Sequence, residues 1–389
     1  MNPCADPWTG AELGLYLHVP FCLRKCPYCS FFSVPADPEK ITCYCQALAR
    51  QIDRLAAADW SGGQPFTTLF FGGGTPSLLP VTELAALLRD CLAKFPWAEG
   101  EIETSIEVNP ATVGEAELRQ LRRAGFNRLS VGVQSLADAE LLALGRPHNA
   151  AEAQAVVAAA RRAGFTNLNL DLMFGLPGQT TAGWQRTLQT ALGLEAEHLA
   201  IYELTIEENT PFAELREQGR LALPDEDEVL AMMAVTAEET AGTGFERYEI
   251  SNYARQGREC RHNLNYWHNG SYLGLGAGAV SCRDGRRSAA VQDIDQYCRL
   301  NESGQEPWSE VEELNPEARF RETVIMGLRL TAGISQAELE RRFGMRAEEY
   351  YWPTLTRLVA QGLLIITGGN LRLTPTGLAL ANQVLAELV

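Results

Sequence analysis

Between residue 15 and about residue 205, short runs rich in β-branched and aromatic residues (LYLHVP, TTLFFGGG, EIETSIEV, RLSVGV, LNLDLMFG and HLAIYEL) recur about every 30 to 50 residues. Ala- and Leu-rich segments with helical period separate them, over 38–58, 81–95, 114–124, 150–163 and 180–194. Such alternation predicts βα units around a parallel sheet covered by helices. An internal echo strengthens the reading: RRAGFNRLSV from Arg122 and RRAGFTNLNL from Arg161 each stop a helix at glycine and enter a strand. Six such units fit an open or partial (β/α) barrel, with a doubly wound sheet as the alternative that periodicity leaves open. In either, chemistry belongs at the C-terminal ends of the strands.

Beyond residue 224 the pattern loosens. An acidic helix is expected from Asp225 to Ala241, followed by a stretch rich in Tyr, Asn, Gly and Arg from Arg247 to Gly278 that reads as a second layer closing over the barrel. From Pro316 the order is a helix, helices near 336–343 and 349–361, two short strands about the turn GGN at 368–370, and a last helix, which is the order of a winged-helix module. Its candidate recognition helix, EEYYWPTLTRLVAQG, carries two Glu against one Arg, so packing or partner docking is expected there in place of DNA binding. The expected organisation is an N-terminal segment 1–14, a core barrel 15–241, a closing layer 242–315 and an α+β winged-helix-like module 316–389.

The 389 residues are 46% hydrophobic, which excludes disorder and suggests two or three modules. Against 33 Lys and Arg stand 49 Asp and Glu, a net charge of −16 that opposes docking on nucleic acid or anionic lipid. Apolar stretches run to about ten residues, short of the roughly 20 that a membrane helix needs, so no transmembrane segment is expected. The start, MNPCADPWTGAELG, lacks the basic, apolar and small-residue parts of a secretory signal, so a cytoplasmic, reducing location is expected. The ten cysteines then become candidates for metal or redox chemistry instead of disulfides.

Three of them, Cys22, Cys26 and Cys29, form CxxxCxxC in LYLHVPFCLRKCPYCSFFS, directly after the first predicted strand. Three thiolates can hold three corners of an iron-sulfur cube and leave one iron open, whereas structural zinc or a plain electron-transfer cluster normally takes four protein ligands. An open iron can chelate the amino and carboxylate groups of S-adenosylmethionine, the arrangement from which a 5′-deoxyadenosyl radical is made. Two plainer readings compete. Cys26 and Cys29 could be a thioredoxin-type pair, which needs no third cysteine upstream, or zinc could recruit Cys43 or Cys45 from inside the next predicted helix. Cys4, Cys91, Cys282 and Cys298 have no paired spacing and read as small core or surface residues.

Polar residues also stand at later strand ends, where a structural strand would simply turn: Glu107, Gln134, Arg146 and Asp171. A zwitterionic cofactor with a ribose diol needs carboxylates for its hydroxyls and a guanidinium for its carboxylate. The structural alternative is four separate, satisfied hydrogen-bonding residues. The turn GGGTPS, Gly72 to Ser77, holds backbone close to something, and with no GK[ST] following it is not a phosphate cradle.

The cysteine motif, the aromatic Tyr28 before its last cysteine and the surrounding YLHVPFC resemble the radical S-adenosylmethionine superfamily. Within it they resemble the branch of oxygen-independent coproporphyrinogen III oxidases and the related heme chaperones, over nearly the whole chain. The resemblance implies a partial (β/α)6 radical SAM barrel with a C-terminal winged-helix-like domain, and a 4Fe-4S cluster on Cys22, Cys26 and Cys29. It also implies S-adenosylmethionine bound by Tyr16, Gly73, Gly74, Thr75, Glu107, Gln134, Arg146 and Asp171. The oxidases carry a further cysteine two residues after the third, where this chain has Phe31, and an extension longer than the 21 residues that precede Cys22 here. Both departures favour the heme chaperones.

The segment CRHNLNYWHNGSYLGLGAGA offers Cys260, His262, His268 and aromatic walls to an iron porphyrin, although by composition alone it reads first as a packed, hydrogen-bonded lid. The resemblance makes its HNxxYW a heme-binding signature, with His262 as axial ligand and Tyr266 and Trp267 as walls. His18, His148 and His198 read as structural. The implied function is to bind heme and pass it to acceptor hemoproteins. The alternatives are the oxidase of porphyrin synthesis, or another radical enzyme for which HNxxYW is only a lid.

Overall fold

The computed structural model describes residues 12–389, so the expectations for Cys4 and for residues 1–11 of the N-terminal segment lie outside the described residues. Six parallel strands follow the predicted runs: β1 (Leu13–Val19), β2 (Thr68–Gly73), β3 (Glu103–Val108), β4 (Arg128–Gln134), β5 (Leu168–Phe174) and β6 (His198–Glu203). Strand alternation divides their side chains between two environments. In RLSVGVQ, Leu129, Val131 and Val133 are fully buried on one face, leaving Arg128, Ser130, Gly132 and Gln134 for the other. The main apolar core therefore lies outside the strands, between them and the helices, and a partial (β/α)6 barrel encloses a polar lumen.

The covering helices are built as the period predicts. Helix α1 (Pro38–Ala57) is capped by Asp37, which accepts from Lys40 N at 2.9 Å, has proline in its first turn, and buries Ile41, Tyr44, Leu48, Ile52 and Leu55 at three- and four-residue spacing. The echoed RRAGF joints leave their helices through Gly125 (φ 120°) and Gly164 (φ 92°). The next amides reach back five residues, Phe126 N to Leu121 O at 3.3 Å and Phe165 N to Ala160 O at 3.1 Å, and both phenyl rings enter the core.

The stretch after residue 241 differs from a layer over the barrel. It extends the sheet at both edges, where open strands need partners. Strands β7 (Phe245–Arg247) and β8 (Asn252–Arg255) continue antiparallel from β6, while β9 (Ser271–Leu275) lies parallel to β1 and continues into β10 (Val280–Arg283), β11 (Arg286–Ala290) and β12 (Trp308–Glu313). Between β8 and β9, helix α2 (Arg261–Trp267) crosses the floor of the barrel: its residues meet Gly14, Thr68 and Glu103, which stand at or beside the starts of β1, β2 and β3.

The C-terminal module from Pro316 is winged-helix-like, with its own core around Phe320, Leu339, Leu355 and Leu371. The expected helix 349–361 is two, α3 (Ala347–Tyr350) and α4 (Trp352–Ala360), because Pro353 has no N–H to continue the ladder. A short strand, Ile334–Ser335, adds to the two about GGN.

Candidate functional site

The cysteine loop leaves β1 at the C-terminal mouth of the barrel. Backbone bonds Val34 N to Pro20 O (2.8 Å) and Ala36 N to Cys22 O (2.9 Å) close its base, and Cys29 N donates to Cys26 O at 3.2 Å. Cys22, Cys26 and Cys29 are free thiols of intermediate exposure. Polar donors approach two of them: the Thr75 hydroxyl stands 3.8 Å from Cys22 Sγ and Arg146 Nη1 3.6 Å from Cys26 Sγ. Burial pushes the Cys29 thiol up, and the neighbouring Cys26 and Cys22 add to it. Among the described residues no three His, Cys, Asp or Glu converge on one metal ion. A cube asks something else of three cysteines, since each takes a separate iron. Cys43 and Cys45 lie on α1, Cys45 in the core, and Cys91, Cys282 and Cys298 are buried elsewhere.

Beneath the loop, the Gly-Gly-Thr turn is sewn to β1. Gly74 N donates to Val19 O at 2.8 Å and Thr75 N to Phe21 O at 2.7 Å. A Cβ at Gly74 would lie 2.6 Å from Phe21 O, and Gly73, at φ 112°, would push one into the His18 ring. Only glycine permits this approach.

Six of the expected cofactor residues sit around the same opening. Gly73 N donates to Glu107 Oε2 at 3.2 Å, Arg146 Nη2 to Gly132 O at 3.0 Å, and Gln134 follows a register shift in β4 with a left-handed φ of 66°. Tyr16, Glu107 and Asp171 line the lumen itself. Burial first, then the charge of Asp171, pushes the Glu107 carboxyl up to about 8. Asp171 is raised to about 6, again by burial, against hydrogen bonds from Asn169 (2.7 Å) and Ser130 (3.1 Å). Carboxyls raised in this way release the stress when they accept from ligand hydroxyls.

The lumen, one cavity of about 300 Å³ shared with Tyr16, Glu107 and Asp171, also contains residues that the sequence reading passed over: Arg128, Ser130, Asn169, Tyr202 and Asn252. His198, expected to be structural, belongs to it as well. Because the Asn169 amide nitrogen donates to Asp171 and Ser130, its oxygen accepts from His198 Nδ1 (2.6 Å), and His198 Nε2 accepts from the Tyr248 hydroxyl (2.8 Å). His18 and His148 are also buried and hydrogen-bonded, His18 to Tyr16 and Phe32, His148 to Val133 O.

Of the HNxxYW residues, His262, Asn263 and Tyr266 line the lumen, and Trp267 does not. His262 is 1% exposed and bonded at both ring nitrogens, to Thr68 Oγ1 at 2.8 Å and Tyr266 Oη at 3.0 Å, while its face stacks on Phe70. Burial lowers its pKa to about 3, so it stays neutral. Trp267 points the other way, into the C-terminal module, under the Arg329 guanidinium. His268 ends the segment on the outer side, in a cleft of about 350 Å³ shared with Arg261, Arg319, Arg341 and Arg342.

A half-closed barrel with a three-cysteine loop at its mouth and a glycine turn under that loop defines the radical S-adenosylmethionine class. The Radical SAM superfamily pattern matches residues 16–191, and that of the HemN C-terminal domain matches residues 314–380. Membership implies a 4Fe-4S cluster and S-adenosylmethionine. Along almost its full length the chain is 35% identical to the heme chaperone HemW of Bacillus subtilis (95% of this chain, 97% of that one) and 34% identical to HemW of Escherichia coli K12 (96% and 97%). It is 33% identical to the mitochondrial radical S-adenosyl methionine domain-containing protein 1 of Danio rerio (98% and 88%). The chain belongs to the HemW family. In fold it matches the solved coproporphyrinogen III oxidase (HemN) of Escherichia coli, a radical SAM enzyme, with a TM-score of 0.83 at 24% identity over 97% of this chain and 90% of that one.

Proposed function

We propose that this chain is a heme chaperone: a radical SAM-type protein that binds heme and passes it to acceptor hemoproteins. Three free cysteines in one loop over the lumen, with no fourth in that loop, carry the cofactor part of the reading. In it Cys22, Cys26 and Cys29 hold a 4Fe-4S cluster, whose open iron, when loaded, supplies the site for S-adenosylmethionine. Backbone at Gly73, Gly74 and Thr75 meets the cofactor's amino group, Arg146 its carboxylate, and Glu107 and Asp171 its hydroxyls, with Tyr16 and Gln134 completing the wall. The names of the relatives, together with the HNxxYW segment, support the heme part. No helix among the described residues is long and apolar enough to cross a membrane.

Heme recognition is assigned to the α2 segment, but His262 as it stands has no nitrogen to offer an iron. It can ligate only if α2 is drawn out of the barrel floor, breaking its bonds to Thr68 and Tyr266. The axial ligand is assigned to His268, in a cleft that carries Arg261, Arg319, Arg341 and Arg342 for porphyrin carboxylates alongside Glu12, Asp284, Glu322 and Glu338. Heme titrations of His268→Ala and His262→Ala test this. The first should weaken binding roughly tenfold or more and change the Soret band. The second should leave affinity near wild type and lower stability by about 1–3 kcal/mol, because two buried partners lose their bonds. The reverse pattern would return the ligand role to His262. The oxidase alternative is supported by likeness of fold and by the HemN C-terminal domain match; protoporphyrinogen formed from coproporphyrinogen, reductant and S-adenosylmethionine without oxygen would restore it.

A further inference from the structure

At the floor of the lumen lies a charge with nothing bonded to it. Arg128 begins β4 on the lumen face and is 2% exposed, yet its guanidinium makes no hydrogen bond and no ion pair among the described residues, and its Nε is fully enclosed. The carboxylates nearby are committed elsewhere. Glu103 accepts from the backbone of Arg261 and His262 (3.1 Å each) and from the Cys260 thiol (3.7 Å), and Asp171 is held by Ser130 and Asn169. Asn252 lines the same 300 Å³ space, and its Oδ1 is a second buried polar atom without a partner.

Desolvating a guanidinium is costly unless an anion meets it, and its planar fork matches a carboxylate. A carboxylate attached to a hydroxyl answers both unpartnered groups, with its oxygens on Arg128 and its hydroxyl donating to Asn252 Oδ1. We infer that the barrel floor is a binding site for a small hydroxycarboxylate, held by Arg128 and Asn252 beneath the cofactor position. This rests on the proposed function only in taking the mouth above as the place of S-adenosylmethionine.

The test uses reconstituted protein with S-adenosylmethionine, titrated calorimetrically and by thermal shift with L-lactate and with propionate, which has the carboxylate but no hydroxyl. Lactate should bind and raise the melting temperature, with propionate weaker. Arg128→Gln should weaken lactate roughly tenfold or more while S-adenosylmethionine affinity stays at the wild-type value. Ala200→Leu, which fills the cavity from β6, should exclude lactate in the same way and serves if the first variant does not fold. The inference is overturned if the wild type binds neither acid, or if either variant binds lactate as the wild type does. It is also overturned if Arg128→Gln weakens S-adenosylmethionine as much as lactate, since Arg128 would then belong to the cofactor site. Failure of S-adenosylmethionine to bind the wild type would count against the mouth assignment alone and leave the lactate titration readable.

Discussion

Replacing Cys22, Cys26 and Cys29 together by serine should take iron and acid-labile sulfide in anaerobically reconstituted protein from roughly four of each per chain to near zero, with loss of the cluster's visible absorbance. The fold should survive. The thiols are only partly buried, and the base of their loop is held by backbone bonds from Val34 and Ala36 that no side chain mediates. Circular dichroism should therefore match the wild type. Unchanged iron and sulfide would overturn the ligand assignment, and with it the reading of the mouth.

Glu107→Gln should stabilise the ligand-free protein at alkaline pH. In the unfolded chain this carboxyl titrates near 4.5, and in the lumen near 8. The native state thus keeps a proton that the unfolded state gives up, so stability is highest below pH 4.5, falls as pH rises and levels off above 8. At about 1.4 kcal/mol per pH unit the penalty reaches about 3 kcal/mol at pH 7 and about 5 kcal/mol above pH 8. Glutamine carries no such penalty. Urea midpoints of wild type and variant should nearly coincide at pH 5 and separate in the variant's favour by pH 8. Coincidence at both would show that Glu107 ionises freely. The same variant should bind S-adenosylmethionine more weakly, because an amide nitrogen replaces an acceptor. Stability given up at one carboxyl in the empty site is the usual mark of a group kept for a ligand.

The sequence discloses what is local and periodic. Six strands and their helices stand near their expected places because alternation and the 3.6-residue period are properties of a dozen residues at a time. The cysteine loop is legible for a similar reason, since ligand count and spacing are both inside eight residues. What depends on the far side of the molecule is less accessible. The pairing of β9 with β1 joins segments with no mutual signature, so a sheet extension reads as a covering layer. The direction of His262 is another such case: α2 has only seven residues, too few for an amphipathic pattern to say which side meets the barrel floor. The polar lumen is different, because its signal was present. In RLSVGVQ and LNLDLMF the residues two positions from Gln134 and Asp171 are Gly132 and Asn169, and continuing the alternation leads to Arg128. Strand period alone puts Arg128 on the same face as Gln134, and Asn169 beside Asp171.

The β1–β9 pairing also has a bearing on how the chain is made. Leu13 lies beside Ser271, a separation of 271 − 13 = 258 residues. At about 5–20 residues per second, roughly 13 to 50 seconds pass on the ribosome before the first strand can acquire this neighbour. Until then β1 is an open edge with a row of unanswered amides and carbonyls, immediately ahead of three naked thiols. Completion of the sheet at its β1 edge is thus a late event in translation, and a nascent chain interrupted before about residue 275 exposes its cysteine loop on an unfinished sheet.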